Sequence, residues 1–452
     1  MFKMKTITLS LLALLLVMSF ASCASDTTSD SPMPNKDMKA YLQVKVTVEG
    51  SGDTRASRAT TGPKGGEGGD DREPGINHEN DVNSLTVLLY ESGKDDLTEA
   101  DAKIDYVYTF TGLKSLSSTS GVTYTTGPRE IDAAIVGKKY HVLVIANAGD
   151  MTSRCKGQNI SKIRDMQMDK VCTRNDGIAN FTDFVMSSKT DAKIDLSGKS
   201  GSGTGTESDP YVVDVNIERL AARIDIIPNA TFDGTSLGYY YNVMDGTNVV
   251  GGFKLESVTP TNVMTKGEYL IKRVSPNAAV SAVTYFGLET KDAANKATNY
   301  VVCPWSKDRT GLTLAEAEGP ASLYNVKNTT STSTTDPSYI LDYVMENTTT
   351  DNKEDNSTGL IFKGKYYESS EWDATKKQPT TGATGTEKKY TYTLRHSDPS
   401  GSGTTADPMH FGVVRNNIYQ VKIEGVEGKS KGLKLTIHVR KWATYTHEET
   451  TM

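Results

Sequence analysis

Tyr41–Arg58 reads YLQVKVTVEGSGDTRASR, two kinds of chain joined end to end. In the first half Leu42, Val44, Val46 and Val48 alternate with Gln43, Lys45, Thr47 and Glu49. A period of two turns one row of side chains to a core and the other to water, which predicts a half-buried β-strand. In the second half Gly50, Ser51, Gly52 and Asp53 have little to bury, and they lead into Arg55 and Arg58. Trypsin-like proteases cut at arginines in exposed polar segments, where the backbone can be drawn extended into the active site. A strand that belongs in a core is therefore expected to hang on a cuttable link.

The same alternation returns near the other end. Leu433, Leu435, Ile437 and Val439 alternate with Lys434, Thr436, His438 and Arg440, and Trp442 follows. Both segments offer four aliphatic side chains at one spacing, so one set of pockets is expected to serve either. Alternation alone fits a plainer reading equally, with each strand a permanent part of its own domain.

Between these segments lie about fifteen short strand-like runs separated by turn residues, with almost no helical periodicity. Leu85–Tyr90, Ile104–Phe110, Tyr140–Asn147, Tyr211–Ile217 and Leu220–Ile227 fall before Pro228. After it come Phe253–Val258, Thr284–Leu288, Asn299–Cys303, Leu360–Tyr367, Lys389–Leu394 and Ile418–Ile423. One short helix is expected around Asn159–Val171, where Ile160, Ile163 and Met166 recur every third residue. Ser197–Asp209 and the acidic stretch Glu346–Asn356 read as solvated excursions. The expected class is all-β, built of β-sandwich domains with short helical insertions.

A chain of 452 residues suits two such domains, and 39 glycines with 22 tyrosines match a turn-rich β protein. The net charge of -6 leaves no basic footprint, so nucleic acid is not an expected partner. Lys3 and Lys5 precede an apolar run from Ile7 to Met18, too short to span a bilayer, and Ala21 and Ser22 lead into Cys23. That is a bacterial lipoprotein signal, with Cys23 as the lipidated residue, although Phe20 stands where leucine is usual. Of the remaining cysteines, Cys155, Cys172 and Cys303, an odd number cannot all pair. A Cys155–Cys172 bridge stays open.

Several fragments imitate active sites without completing them. Gly198–Ser200 and Gly428–Ser430 spell Gly-Lys-Ser, but the phosphate loop's earlier glycine is replaced by Lys193 and Ile423. His447–Thr451 and His78–Glu79 begin a zinc-protease helix and lack its second histidine. Asp351, Glu354 and Asp355 lack the alternation and central glycine of a calcium loop. No catalytic, cofactor or metal residue is assigned, and no enzyme is expected.

With these residues in view, the chain resembles the fimbrillins, the type V pilin subunits of Bacteroidales. The likeness rests on Val413–Tyr419 (VVRNNIY), on Leu433–Trp442 (LKLTIHVRKW), on Ile217–Ile224 (IERLAARI), and on the strand ending in Ala146-Asn147. It implies two transthyretin-like β-sandwich domains in tandem, with residues 1–22 as signal peptide and 23–55 as propeptide. Residues 56–228 and 229–452 would then be the two domains. It also implies a transient lipid anchor at Cys23 in the outer membrane and cleavage after Arg55 or Arg58 by an arginine-specific surface protease. Polymerisation follows by strand exchange, with Leu42, Val44, Val46 and Val48 as the leaving strand. Leu433, Leu435, Ile437, Val439 and Trp442 would form the donor strand. Partners would be other copies of the chain and related fimbrial subunits, in a stalk that supports adhesion or biofilm formation. The competing readings are a monomeric surface lipoprotein that binds glycan or host protein through its loops, and a secreted β-rich hydrolase.

Overall fold

The structure is a computed structural model. It describes residues 39–48, 72–74, 77–91, 102–118, 121–164, 166–174, 181–189, 191–197, 203–232, 239–264, 267–270, 272–273, 284–285, 339–347, 357–396, 411–428 and 432–443. Cys23, Arg55, Arg58, Cys303 and the predicted strand Asn299–Cys303 lie outside these residues. The expected all-β class is what the chain adopts.

Two large sheets carry the molecule. The first is assembled from β1 (Ala40–Val48), β3 (Ser84–Glu91), β4 (Tyr106–Thr111), β5 (Lys114–Ser118), β6 (Gly121–Thr125), β7 (Arg129–Ile131) and β8 (Lys139–Ala146). It is completed by β9 (Met186–Ser188), β10 (Ala192–Asp195) and β11 (Tyr211–Arg219). Its strand order is β4-β3-β8-β9-β11-β1-β6-β5, with β7 also on β1 and β10 also on β8. β3 and β8 are buried along almost their whole length, as continuous apolar runs between neighbours must be. β1 and β11 keep the alternating pattern of strands with one covered face.

The second sheet joins β2 (Arg72–Pro74) to β12 (Ala221–Ile227), β13 (Tyr239–Asp245), β14 (Asn248–Thr261) and β15 (Tyr339–Met345). β16 (Gly359–Glu368), β17 (Thr386–Thr393), β18 (Asn417–Glu427) and β19 (Gly432–Ala443) finish it, in the order β2-β19-β18-β13-β14-β16-β17. β12 pairs with both β15 and β18. The crossing from one sheet to the other therefore falls at Leu220, between β11 and β12, ahead of Pro228. Pro228 ends a strand of the second sheet. The hydrophobic clusters divide at the same place, Ala221 packing in the first and Ala222 in the second.

Among the described residues helix is confined to short pieces. The helix expected around Asn159–Val171 is realised only over Ile160–Arg164, with Ile160 and Ile163 buried, while Gln167–Met168 is a short strand and Thr152–Cys155 forms another helical turn. Cys155 and Cys172 do not share a bridge, and burial pushes the Cys155 thiol up to about 11.

Three tyrosines mark the dry interior. Tyr241 donates to the Pro228 carbonyl at 2.6 Å, Tyr343 donates to Glu79, and Tyr419 accepts from the Val414 amide at 2.7 Å. Burial raises all three hydroxyls above the ordinary phenol range. A folded pKa above the unfolded one means the folded chain keeps its proton longer. The resulting stability is intact below about pH 10 and is lost as the pH climbs beyond it. In an alkaline titration followed at 295 nm, phenolate absorbance from these residues is expected only together with unfolding. A reversible rise with tertiary circular dichroism intact would contradict their burial.

Candidate functional site

β1 is an interior strand. It runs parallel to β11 from Leu42↔Tyr211 to Val48↔Ile217. Its other edge is antiparallel to β7 at Ala40–Leu42 and to β6 at Lys45–Val48. In the strand order of the described residues, β5, β6 and β7 pair with the rest of the sheet only through β1. Leu42, Val44, Val46 and Val48 are each 0% exposed. At roughly 1.5–3 kcal/mol per fully buried aliphatic side chain, these four contribute on the order of 6–12 kcal/mol of gross burial.

Polar contacts fix the strand's register. The Val44 amide donates to the Thr126 hydroxyl, and the Thr126 amide donates to the Val44 carbonyl, both at 2.9 Å. Gln43 donates its side-chain amide to the Thr126 carbonyl at 3.0 Å, and the Thr47 and Thr123 hydroxyls lie 3.0 Å apart. At the start of the strand the Tyr41 amide donates to the Gly205 carbonyl at 2.9 Å. Gly205 comes from the stretch expected to be a solvated excursion. Its φ of +81° suits glycine, and a Cβ there would stand 2.4 Å from the Tyr211 ring. The Lys39–Glu130 pair at 2.9 Å is exposed and adds little.

The other alternating segment sits elsewhere. β19 pairs antiparallel with β18 from Asn417↔Lys441 to Glu427↔Gly432. Ile437 is buried, and Leu433 and Leu435 pack half-buried on the second core. Val439 pairs with Tyr419 and Trp442 with Glu73 through the backbone. Within one chain the two segments thus occupy separate positions, so any competition for a single position lies between copies.

Beside the end of β1, where Val48 faces Ile217, the sheets are joined by buried charge. The Arg223 guanidinium donates to both Glu79 carboxylate oxygens, at 3.1 and 3.2 Å, and to Asp225 at 2.9 and 2.8 Å. Tyr343 donates to the same Glu79 carboxylate. Arg219 donates to the Glu79 carbonyl and to the Asn416 side chain, each at 2.9 Å, and also to Asn80. Burial lowers Arg219 to about 10, against the pull of Glu79. Arg415 grips Glu346 through two nitrogens, one contact being 2.8 Å. Asn147, with φ 58°, accepts from the Asn83 amide at 2.8 Å and donates to the Asp81 and Phe184 carbonyls at 2.7 and 2.9 Å.

These contacts give physical roles to the quoted motifs. Arg219, Arg223 and Asn416 serve the junction, Arg415 pairs with Glu346 beside the second sheet, and Asn147 ties the end of β8 to the Asp81–Ser84 segment and to Phe184. Glu346, expected in a solvated acidic stretch, is buried because Arg415 needs a counter-charge there. Glu79 sits in a polar run, Asn77–Asn83, whose sequence carries no signal of burial. Among the described residues no group of three or more His, Cys, Asp or Glu side chains converges on a metal position.

Residues 40–219 match the family described as major fimbrial subunit protein, FimA. The matched stretch opens on the first residue of β1 and closes on the last of β11, so it contains every strand of the first sheet and, from the second, only β2. The family is structural and not enzymatic, and its members are subunits of cell-surface fimbriae. Three solved structures are similar over 90% of this chain. One is a candidate cell adhesion protein from Parabacteroides distasonis, 16% identical over 98% of its own length, with a TM-score of 0.44. Another is the C-terminally truncated tip fimbrial protein Mfa3 of Porphyromonas gingivalis, 13% identical over 100% of its length, with a TM-score of 0.40. The third is a fimbrilin (FimA) of Porphyromonas gingivalis W83, 13% identical over 99% of its length, with a TM-score of 0.38. No curated protein sequence matches the chain.

Proposed function

We propose that the chain is a stalk subunit of a surface fimbria, exported as a lipoprotein through Cys23 and matured by cleavage after Arg55 or Arg58. The observation that carries this reading is the position of β1, an interior strand whose covalent link to the chain that follows is residues 49–71. While that link is whole, β1 is held at the high effective concentration of a short tether and keeps its place. Once the link is cut, loss of β1 becomes a dissociation. The vacancy leaves two unpaired sheet edges and a row of apolar pockets, which favour capture of another chain's strand.

The donor is the tail of a neighbouring subunit, residues 433–452, whose Leu433, Leu435, Ile437 and Val439 repeat the spacing of Leu42 to Val48. Donation requires β19 to leave β18 in the donor. Adhesion is the outcome of the assembled filament. The test is the combined variant Arg55→Ala with Arg58→Ala. It is expected to abolish detergent-resistant ladders and to leave a longer, lipidated precursor on cells. Filaments of ordinary length built from that variant would reject assembly gated by cleavage.

A further inference from the structure

β19 is longer than the strand it pairs with. β18 begins at Asn417, opposite Lys441, so Trp442 and Ala443 run past it. Their strand partner among the described residues is β2, which lies parallel with Arg72↔Lys441, Glu73↔Trp442 and Pro74↔Ala443. A parallel ladder of three residues is weak, and Pro74 has no amide hydrogen with which to extend it. What holds β2 there is the chain just beyond it. Glu79, five residues after Pro74, is pinned by Arg223 and Tyr343. β2 also follows both Arg55 and Arg58, so cleavage leaves it in the mature chain.

We propose that Arg72–Pro74 is an autoinhibitory clasp on the tail, pegged by Glu79, that opens before β19 is given up to a neighbouring subunit. The proposal rests on the reading of the tail as donor. It assigns β2 a restraining role, one that keeps the overhang of β19 from offering an unpaired edge before assembly. The ladder is short enough for a docking groove to displace, and Glu79 keeps it from drifting away once displaced.

The test uses the purified uncut precursor and an arginine-specific protease. Glu73→Pro removes a backbone donor from the middle of the ladder. Amides of residues 441–443 are then expected to exchange at least tenfold faster, and filaments followed by light scattering to grow several-fold faster after cleavage. A second variant, Arg72→Cys with Lys441→Cys, places two thiols on facing residues of adjacent strands. Neighbouring strands lie about 4.8 Å apart, within disulfide reach. The bridged form is expected not to grow until a reductant is added.

Unchanged exchange in Glu73→Pro overturns the clasp. Faster exchange with unchanged growth, or normal growth of the bridged form, overturns its restraining role. A wild-type chain that never polymerises after complete cleavage sinks the donor reading and the gating claim together. Polymerisation unaffected by either variant sinks the gating claim alone.

Discussion

Replacing Val46 by Asp is expected to destabilise the first sheet of the uncut chain far more than the second core. Val46 is 0% exposed and lies between Tyr124 on β6 and Val215 on β11. A carboxylate there would sit in the buried row of Leu42, Val44 and Val48, and an unpaired buried charge belongs to the most destabilising class of substitution, at about 4 kcal/mol or more. For a unit of this size each kcal/mol shifts the melting temperature by about 2–4 °C, so a fall of about 10 °C is expected in its transition. Lys45→Asp, one residue away on the half-buried row, should cost under about 1 kcal/mol. Hydrogen exchange adds a second signature. Protection should be lost in β5, β6 and β7 as well as in β1, because those strands join the sheet only through it. A melting temperature within a degree of wild type, or loss confined to residues 40–48, would show that β1 does not organise this sheet.

The contrast between Val46 and Lys45 is also why this part of the fold was legible in the sequence. Strict alternation reports which face of a strand is covered, and β1, β11 and β19 were all readable on that basis. Continuous apolar runs located β3 and β8 for the same reason in another form, since both faces are covered. Strands escaped where polar residues serve the sheet edge or the turn. Lys114–Ser118 and Met186–Ser188 look like loop, and Tyr339–Met345 (YILDYVM) is interrupted by Asp342. The sheet crossing at Leu220 was hidden because residues on both sides of it are buried, so no change of pattern marks the change of sheet. Alternation also says nothing about which sheet a strand joins. β1 and β19 therefore share a pattern although each fills its own position. The junction was half legible. Arginines spaced as in Glu218–Arg223 promise a shared electrostatic role, but Glu79 and Glu346 gave no sign of it, because burial of a carboxylate depends on where a distant guanidinium lands.

That junction yields the other large effect. Arg223→Ala is expected to cost about 3–5 kcal/mol in chemical denaturation, the range for removing one member of a buried ion pair. The cost arises less from the lost attraction than from what stays behind. Glu79 and Asp225, one on the segment that follows β2 and one on β12, would remain in the interior without their shared guanidinium. Arg223→Lys should fall between alanine and wild type, since one ammonium cannot serve two carboxylates with the planar fork that now donates to both. Glu79→Gln should be the mildest of the three. The amide still accepts from Arg223 and Tyr343, and Asp225 still balances the charge. If the junction also couples the two cores, Arg223→Ala should turn one cooperative transition into two, with the first sheet's midpoint separating from the second's. An Arg223→Ala chain within about 1 kcal/mol of wild type, unfolding in one step, would mean that the buried charges are ornamental to the joint and that apolar packing of Ile340, Tyr343 and Ile418 against the first core holds the sheets together.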